Sequence, residues 1–397
     1  MTLSLAGALF IFRSFAKRAR ANRTPRGNGA PTGLEAAHPP VTSLPILITV
    51  AWLGLEYLGL SLLADPLGLS GFGVIHLAYL HLFFSIPVIG LGYGALHFWP
   101  KNSVRLATAS GALVLVAMGL GCLGYYMTYV APFDLEVTHT TLRLSPRGPA
   151  VPGAQSTQQA APGRPLRIGL LADLQAARIT DYERRAVAAL MAEEPDLILL
   201  SGDIIHQMDR AAYVEAIPEF RDLLGTLNAP AGVYFVRGNT DPKGIEPLLF
   251  EGTGILGLRD QIVSIPFGAS SITLGGLALA HHKLPKGKEV MQTLATPSGE
   301  GDIRLLLTHL PDPVLFLPEN SAIDLVLAGH THGGQVQLPF FGPPITLSQV
   351  PREVAAGGLH SHRGNAIYVS RGIGVERAQA PRMRLLARPE VSLITLE

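Results

Sequence analysis

Cysteine is nearly missing from this chain. Cys122 is the only one in 397 residues, so no intramolecular disulfide can brace the fold. Charge is scarce too: Asp, Glu, Lys and Arg make up 15% of the sequence, and 31 basic against 30 acidic residues leave a net charge of +1. That balance provides no basic stripe, which argues against a nucleic-acid partner. No internal repeat is evident.

Apolar sequence takes the place of charge, at 48% of the chain, an unusual balance for a soluble domain. The excess lies in three runs: residues 43–64, broken only by Glu56; residues 71–98, carrying His76, His81 and His97; and the uncharged residues 107–131. Each reaches the roughly 20 apolar residues that cross a bilayer. Residues 1–131 are therefore predicted to form a membrane anchor of about three transmembrane helices behind a basic N-terminal segment. Residues 3–12 are too short to span and suit an interfacial anchor or the core of an uncleaved signal. Glu56 and the histidines are costly in lipid, and are read as facing neighbouring helices or reaching the interface. Gly90, Gly92 and Gly94, like Gly119, Gly121 and Gly124, suit close helix packing. Arg13, Lys17, Arg18, Arg20, Arg23 and Arg26 precede the first span, whereas the loop at 65–70 has no basic residue. The bias of basic residues to the cytoplasmic side, followed by three crossings, places everything after Ala131 outside the cytoplasm, whereas an even number of crossings would leave it in the cytoplasm.

Residues 132–397 read as an α/β domain. Short apolar runs at 167–172, 196–200, 232–236, 303–307 and 323–328 fit buried strands. Thr180 followed by Glu183 is a capping-box pattern for a helix through about Glu193. Helical periodicity returns at 211–227. Residues 133–144 fit an edge strand, residues 145–165 a flexible loop, and residues 261–280 and 367–396 further strands. Alternation of this kind predicts a layered α/β sandwich.

The chemistry stands at the strand ends, where α/β sheets collect ligands. The first run leads into Asp173-Leu174-Gln175, the second into Ser201-Gly202-Asp203 and the third into Gly238-Asn239-Thr240-Asp241. The fourth leads into Thr308-His309, and the fifth into Gly329-His330-Thr331-His332-Gly333-Gly334-Gln335. Carboxylates, an amide and imidazoles aimed at one region form a metal-ligand set. An unpartnered buried carboxylate is costly, so chance repetition of the pattern is a poor explanation.

In this order the motifs resemble those of the calcineurin-like metallophosphoesterases. Gly329 to Gln335 followed by Pro339-Phe340-Phe341-Gly342-Pro343, with Tyr368-Val369-Ser370-Arg371-Gly372-Ile373-Gly374, resembles the membrane-anchored YkuE/YaeI-type branch. The resemblance covers about residues 133–397. It implies a four-layer sandwich, two mixed β-sheets flanked by helices, behind the transmembrane region of a multi-pass protein in a bacterial-type inner (plasma) membrane. It implies two divalent ions, one held by Asp173, Gln175, Asp203 and His332 and the other by Asp203, Asn239, His309 and His330. It also implies phosphoester or pyrophosphate hydrolysis by a metal-bridging hydroxide, and it extends to pyrophosphohydrolases of lipid A precursors. A phosphate-containing, lipid-linked substrate at the bilayer surface is the expectation. Arg237 and Arg371 are candidate phosphate contacts, since guanidinium matches phosphate geometry.

Two positions depart from the family pattern. Gln175 stands where the family has histidine, and a neutral amide oxygen is a harder donor than imidazole. It favours Mn²⁺, with Mg²⁺, Fe²⁺ or Zn²⁺ behind it. Thr240 stands where the family commonly has the histidine that protonates the leaving group, and a hydroxyl is too weak an acid to replace it. Either the leaving group needs little help, or another acid such as His206 supplies the proton. The opposite reading is a non-catalytic metal-binding membrane regulator with a decayed site. His281 and His282, with Lys283, Lys286 and Lys288, and the pair His360 and His362, are read first as solvated loops.

Overall fold

The apolar runs after residue 164 form strands because each is bounded by turn residues and rich in Leu, Ile and Val. The structure is a computed structural model that describes residues 58–59, 68–98, 104–144, 164–206, 209–297 and 302–397. By internal contacts the chain divides into two compact units, Met1–Gly124 and Tyr125–Glu397.

In the second unit twelve strands make two sheets of six. The strands are β1 (Glu136–Leu142), β2 (Leu166–Leu171), β3 (Leu197–Leu200), β4 (Val233–Phe235), β5 (Leu256–Gly257) and β6 (Gln261–Phe267). They continue with β7 (Ser270–Gly276), β8 (Ile303–Leu307), β9 (Leu325–Ala328), β10 (Gly358–His362), β11 (Asn365–Val369) and β12 (Glu390–Leu396). The orders are β1-β12-β2-β3-β4-β5 and β10-β11-β9-β8-β7-β6. Both sheets are mixed: β2 to β5 run parallel beside an antiparallel β12, and β7, β8, β9 and β11 run parallel between antiparallel β6 and β10. The expected edge strand is β1, parallel to β12.

The two sheets meet through Ile168, Leu170, Leu199, Ile272, Leu305, Leu327 and Ile394, all fully buried. The outer face of the first sheet is covered by helices Asp181–Ala192 and Arg210–Leu224, through Ala186, Leu190, Ala216 and Phe220. The outer face of the second packs on helix Pro285–Ala295 through Val290, Met291 and Leu294. The capping box is present: Glu183 accepts the Thr180 N–H at 2.8 Å, and the Thr180 hydroxyl accepts the Tyr182 N–H at 3.2 Å. One buried charge holds the C-terminal loops. The Arg384 guanidinium, fully buried, donates to the carbonyls of Arg371 (2.7 Å), Gly372 (3.0 Å) and Ala387 (2.9 Å), and burial lowers its pKa to about 10.

In the first unit, helix Gly71–Leu80 passes through a π-helical turn, His81–Ser85, into helix Ile86–Phe98. Pro87 lacks an N–H and crowds the preceding turn, which accounts for the wide turn there. Two stretches, Gly71–Gly92 (22 residues) and Gly111–Phe133 (23 residues), are long and apolar enough to cross a membrane by length and composition. Their close approach uses the expected glycines in part. A Cβ on Gly124 would lie 2.6 Å from Phe83, and one on Gly90 would lie 3.0 Å from Ala117, whereas Gly92 and Gly119 face open space. The Tyr79 hydroxyl donates to the Gly124 carbonyl at 3.3 Å. The basic N-terminal segment, residues 3–12 and, apart from residues 58–59, the first expected span at 43–64 lie outside the described residues.

Candidate metal centre

Strands β2, β3 and β4 of one sheet and β8 and β9 of the other deliver their polar ends to one place. Backbone conformation does much of the aiming. Five of the seven expected ligands sit in the left-handed region: Asp173, Gln175, Asp203, His330 and His332 have φ of 49°, 43°, 53°, 72° and 49°. Such conformations cost on the order of 1–3 kcal/mol each and persist where the surroundings impose them, often at functional sites. Glycine permits the close approach of the loops. A Cβ on Gly238 would stand 2.0 Å from Asp203 Oδ1, and one on Gly329 would stand 2.6 Å from Asp173 Oδ2.

The donors converge. Asp173, Asp203 and His309 each offer a ligand atom within 4.8 Å of the others. His309 Nε2 lies 2.9 Å from Asn239 Oδ1, 3.2 Å from His330 Nδ1 and 3.5 Å from Asp203 Oδ2. The His309 ring donates from Nδ1 to the Ser201 carbonyl at 2.7 Å, and His330 donates from Nε2 to the Leu347 carbonyl at 3.2 Å. A carbonyl only accepts, so each neutral ring has used its one proton. His309 Nε2 and His330 Nδ1 are then lone pairs facing each other, with Asn239 Oδ1 and a carboxylate beside them. Burial lowers both imidazoles to about pKa 4, so neither is protonated near neutrality.

His332 is buried, and neither ring nitrogen has a hydrogen-bond partner among the described residues. Gln175 Nε2 donates to Asp203 Oδ2 and to Glu376 Oε2, each at 3.4 Å, which leaves its buried Oε1 without a partner. Orphaned acceptors and opposed lone pairs are what a cation would satisfy. The group Asp173, Asp203 and His309, with Asn239 and His330 beside it and the orphaned atoms of Gln175 and His332, is of the donor chemistry that divalent ions take. Asp173 is raised well above an ordinary carboxylate by burial and the charge of Asp203, and Asp203 is itself raised by burial. A metal would relieve both.

Several groups that hold the site were not assigned from the sequence. Asp241 accepts the N–H groups of Asp203 (2.7 Å), Ile204 (2.8 Å), Ile205 (3.4 Å) and Gly238 (2.9 Å), and so ties the two ligand loops together. Burial and the Asp203 charge raise its pKa to about 6. Its place two residues after Asn239 was visible, but its partners were not. Glu376 adds a half-buried carboxyl beside Gln175, and its N–H donates to Gln335 Oε1 at 2.6 Å.

Other expected contacts fall elsewhere. Thr240 is at the site through its backbone, whose N–H donates to Asp203 Oδ1 at 2.8 Å. Burial and the charges of Arg377 and Arg382 lower the pKa of His206, which weakens it as a proton donor near neutrality. Arg371 is engaged by Glu136 and by Glu390, the latter at 3.0 Å from Nε. Arg237 donates to the carbonyls of Gly238 (3.1 Å) and Asp241 (2.9 Å). The Arg371 guanidinium is thus held by two carboxylates, and Arg237 is held through Nη1. His281 pairs with Asp260 at 2.6 Å, His282 is buried with its ring 5.0 Å from that of Phe316, and His360 donates to the Gly357 carbonyl at 3.1 Å.

The amide at position 175 can be tested on metal content alone. Gln175→Ala is expected to lower metal occupancy, and Gln175→His to raise affinity for zinc, read by elemental analysis and competition titration. Unchanged metal content and zinc affinity in both variants would remove Gln175 from the ligand set.

The profile described as Calcineurin-like phosphoesterase matches residues 166–334, which span β2 to the turn after His332. The chain is 30% identical over 299 residues to the uncharacterized metallophosphoesterase YkuE of Bacillus subtilis (strain 168), covering 72% of this chain and 94% of that one. It is 29% identical over 304 residues to the phosphodiesterase YaeI of Escherichia coli (strain K12), covering 74% and 98% respectively. Among solved structures, a dimetal phosphatase from Danio rerio aligns at 16% identity over 52% of this chain and 88% of that one, with a TM-score of 0.34. The chain belongs to the calcineurin-like metallophosphoesterases, hydrolases that act on phosphoester bonds with divalent metal ions.

Proposed function

We propose that this protein is a membrane-anchored hydrolase that cleaves a phosphodiester or pyrophosphate bond in a lipid-linked substrate. Its anchor is residues 1–131, and its catalytic domain, residues 132–397, lies outside the cytoplasm. The observation that supports the reaction is the convergence of Asp173, Asp203 and His309, with Asn239 and His330 beside His309 and with Gln175 Oε1 and both His332 ring nitrogens buried without a partner. Two divalent ions held there, Mn²⁺ first among them, would polarise the phosphoryl oxygens and lower the pKa of a water. Asp203 sits between the two ligand groups and can serve both through its two oxygens. Asp241 fixes the Asp203 loop, and the Ser201 and Leu347 carbonyls fix the imidazole tautomers. The apolar stretches Gly71–Gly92 and Gly111–Phe133 support the anchor.

Position 240 narrows the chemistry. Threonine offers no useful acid, and burial with the charges of Arg377 and Arg382 weakens His206 as one, so the departing oxygen is taken to leave without a proton from either. A phosphate leaving group, whose second pKa is about 6, tolerates that, whereas a simple alkoxide does not. Turnover is expected to fall steeply as leaving-group pKa rises, across a series from pyrophosphate diesters and aryl phosphodiesters to alkyl phosphodiesters. Thr240→His should flatten the dependence. Equal rates across the series in the unaltered protein would sink the proposal.

A further inference from the structure

Beside the metal centre the chain exposes a set of apolar side chains for which the fold has no use. Leu338, Phe341, Ile345 and Leu347 are 42%, 53%, 41% and 53% exposed, and Phe340 is wholly exposed. Monomeric proteins scatter such residues singly; a contiguous group marks a surface that meets something apolar. Here the group is built, not frayed. Leu338 and Gly342 exchange backbone hydrogen bonds at 3.0 and 2.9 Å, closing a tight turn with Phe340 at its tip. Phe340 has φ of 64°, a conformation uncommon for a bulky residue, so the backbone accepts strain to point the ring outward. The Arg352 guanidinium stacks 4.0 Å from the Phe341 ring centre, placing a cation at the base of the turn. The segment also borders the site directly, because the Leu347 carbonyl orients His330.

A second observation bears on what the turn meets. The last residues of the apolar stretch Gly111–Phe133 lie in the same compact unit as the metal centre. They present Tyr125, Tyr126 and Tyr129, all exposed and of a residue type that anchors a span at the membrane–water interface, with exposed Phe133 beyond them. Backbone hydrogen bonds run from that end to the turn. Arg384 N–H donates to the Met127 carbonyl at 2.9 Å, Leu385 N–H to Gln335 at 2.8 Å, and Gln337 N–H to Leu385 at 2.8 Å. Leu338 follows at once. Leu386, 59% exposed, follows Leu385, which is bridged to Val336.

We propose that residues 338–347 form an interfacial loop that inserts Phe340 and Phe341 into the bilayer surface, with Arg352 at headgroup level, and so presents lipid phosphates to the metal centre. The proposal rests on the membrane reading given above and adds how the site reaches its substrate. Apolar side chains in such a position sit roughly 5–10 Å into the headgroup–acyl boundary.

The test uses the full chain reconstituted into phosphatidylcholine–phosphatidylglycerol vesicles. Trp52 and Trp99, its two tryptophans, are first replaced by Phe. Phe340→Trp then gives a single reporter, and Leu248→Trp, at a residue 52% exposed elsewhere on the domain, gives the control. Bromines near the top of the acyl chains should quench the reporter at 340 strongly, deep bromines less, and neither should affect the reporter at 248. No quenching at 340, equal quenching at both positions, or a spectral shift at 340 that depends on protein concentration in detergent would overturn the proposal. The last outcome would assign the surface to a second copy of the chain. In a separate assay, F340S/F341S should lose turnover of a vesicle-embedded phosphodiester while retaining that of soluble bis(p-nitrophenyl) phosphate; loss of neither activity would also overturn it. A protein inert toward both substrates before substitution would fail the hydrolase reading, while the quenching still reports on the loop.

Discussion

Asp203→Asn is expected to lower phosphodiester hydrolysis by at least about 100-fold, beyond what is lost on removing a group that merely orients a metal ligand. The same change should leave the metal-free protein as stable as before, or more stable. The Asp203 carboxylate is nearly fully buried, and its charge raises the pKa of both Asp173 and Asp241. An amide in its place would keep the oxygen that accepts the Thr240 N–H at 2.8 Å and remove the like-charge repulsion. The loss would fall on metal binding, because the carboxylate proposed to serve two ions becomes neutral. Active sites commonly hold residues that function requires and stability does not. Turnover, metal content and thermal melts monitored by circular dichroism check all three statements. Wild-type turnover at wild-type metal content would sink the assignment of Asp203.

The strand-end motifs were legible because strand, turn and donor are adjacent in sequence. An apolar run ending in Gly-Asp or Gly-His-Thr-His states its own geometry, and the capping box at Thr180 is equally local. The residues that hold the centre in place were not legible. Asp241 works through four backbone N–H groups from two loops, and Arg384 through carbonyls gathered from several turns. Neither set of partners leaves a periodic or spaced signal. Glu376 meets Gln175 across 201 positions of chain. Arg371 shows the converse error: a basic residue in a glycine-rich turn beside the site suggests an anion contact, yet Glu390, nineteen residues later, already occupies it. Phe340 and Phe341 were visible as part of a motif, but their exposure depends on the closure of a turn that only the fold shows.

Mn²⁺ is expected to raise the melting temperature, and the gain should shrink as pH falls from 7 to 5. An ion present at 100 times its dissociation constant stabilises by about 2.7 kcal/mol. For a domain of this size that corresponds to roughly 5–10 °C. The pH dependence follows from which ligands hold protons. His309 and His330, lowered to about 4 by burial, are already neutral across this range and cost the metal nothing. Asp173 and Asp203, raised by burial, take up protons above the ordinary carboxylate range, and those protons compete with the ion. In the metal-free protein the signs oppose. A carboxyl raised from 3.8 to about 6, as Asp241 is, contributes stability that is fully present below 3.8 and lost as pH rises through 6. A histidine lowered from 6.5 to about 4 contributes stability that is present above 6.5 and lost as pH falls toward 4. The metal-free melting curve should therefore stay comparatively flat between pH 4 and 6.5, while the metal-loaded one declines toward acid. Thermal melts in Mn²⁺ and in chelator at pH 5, 6 and 7 measure the difference. An equal gain at pH 5 and pH 7 would mean that the buried carboxylates are not ligands, and no gain at any pH would mean that the centre does not hold the ion.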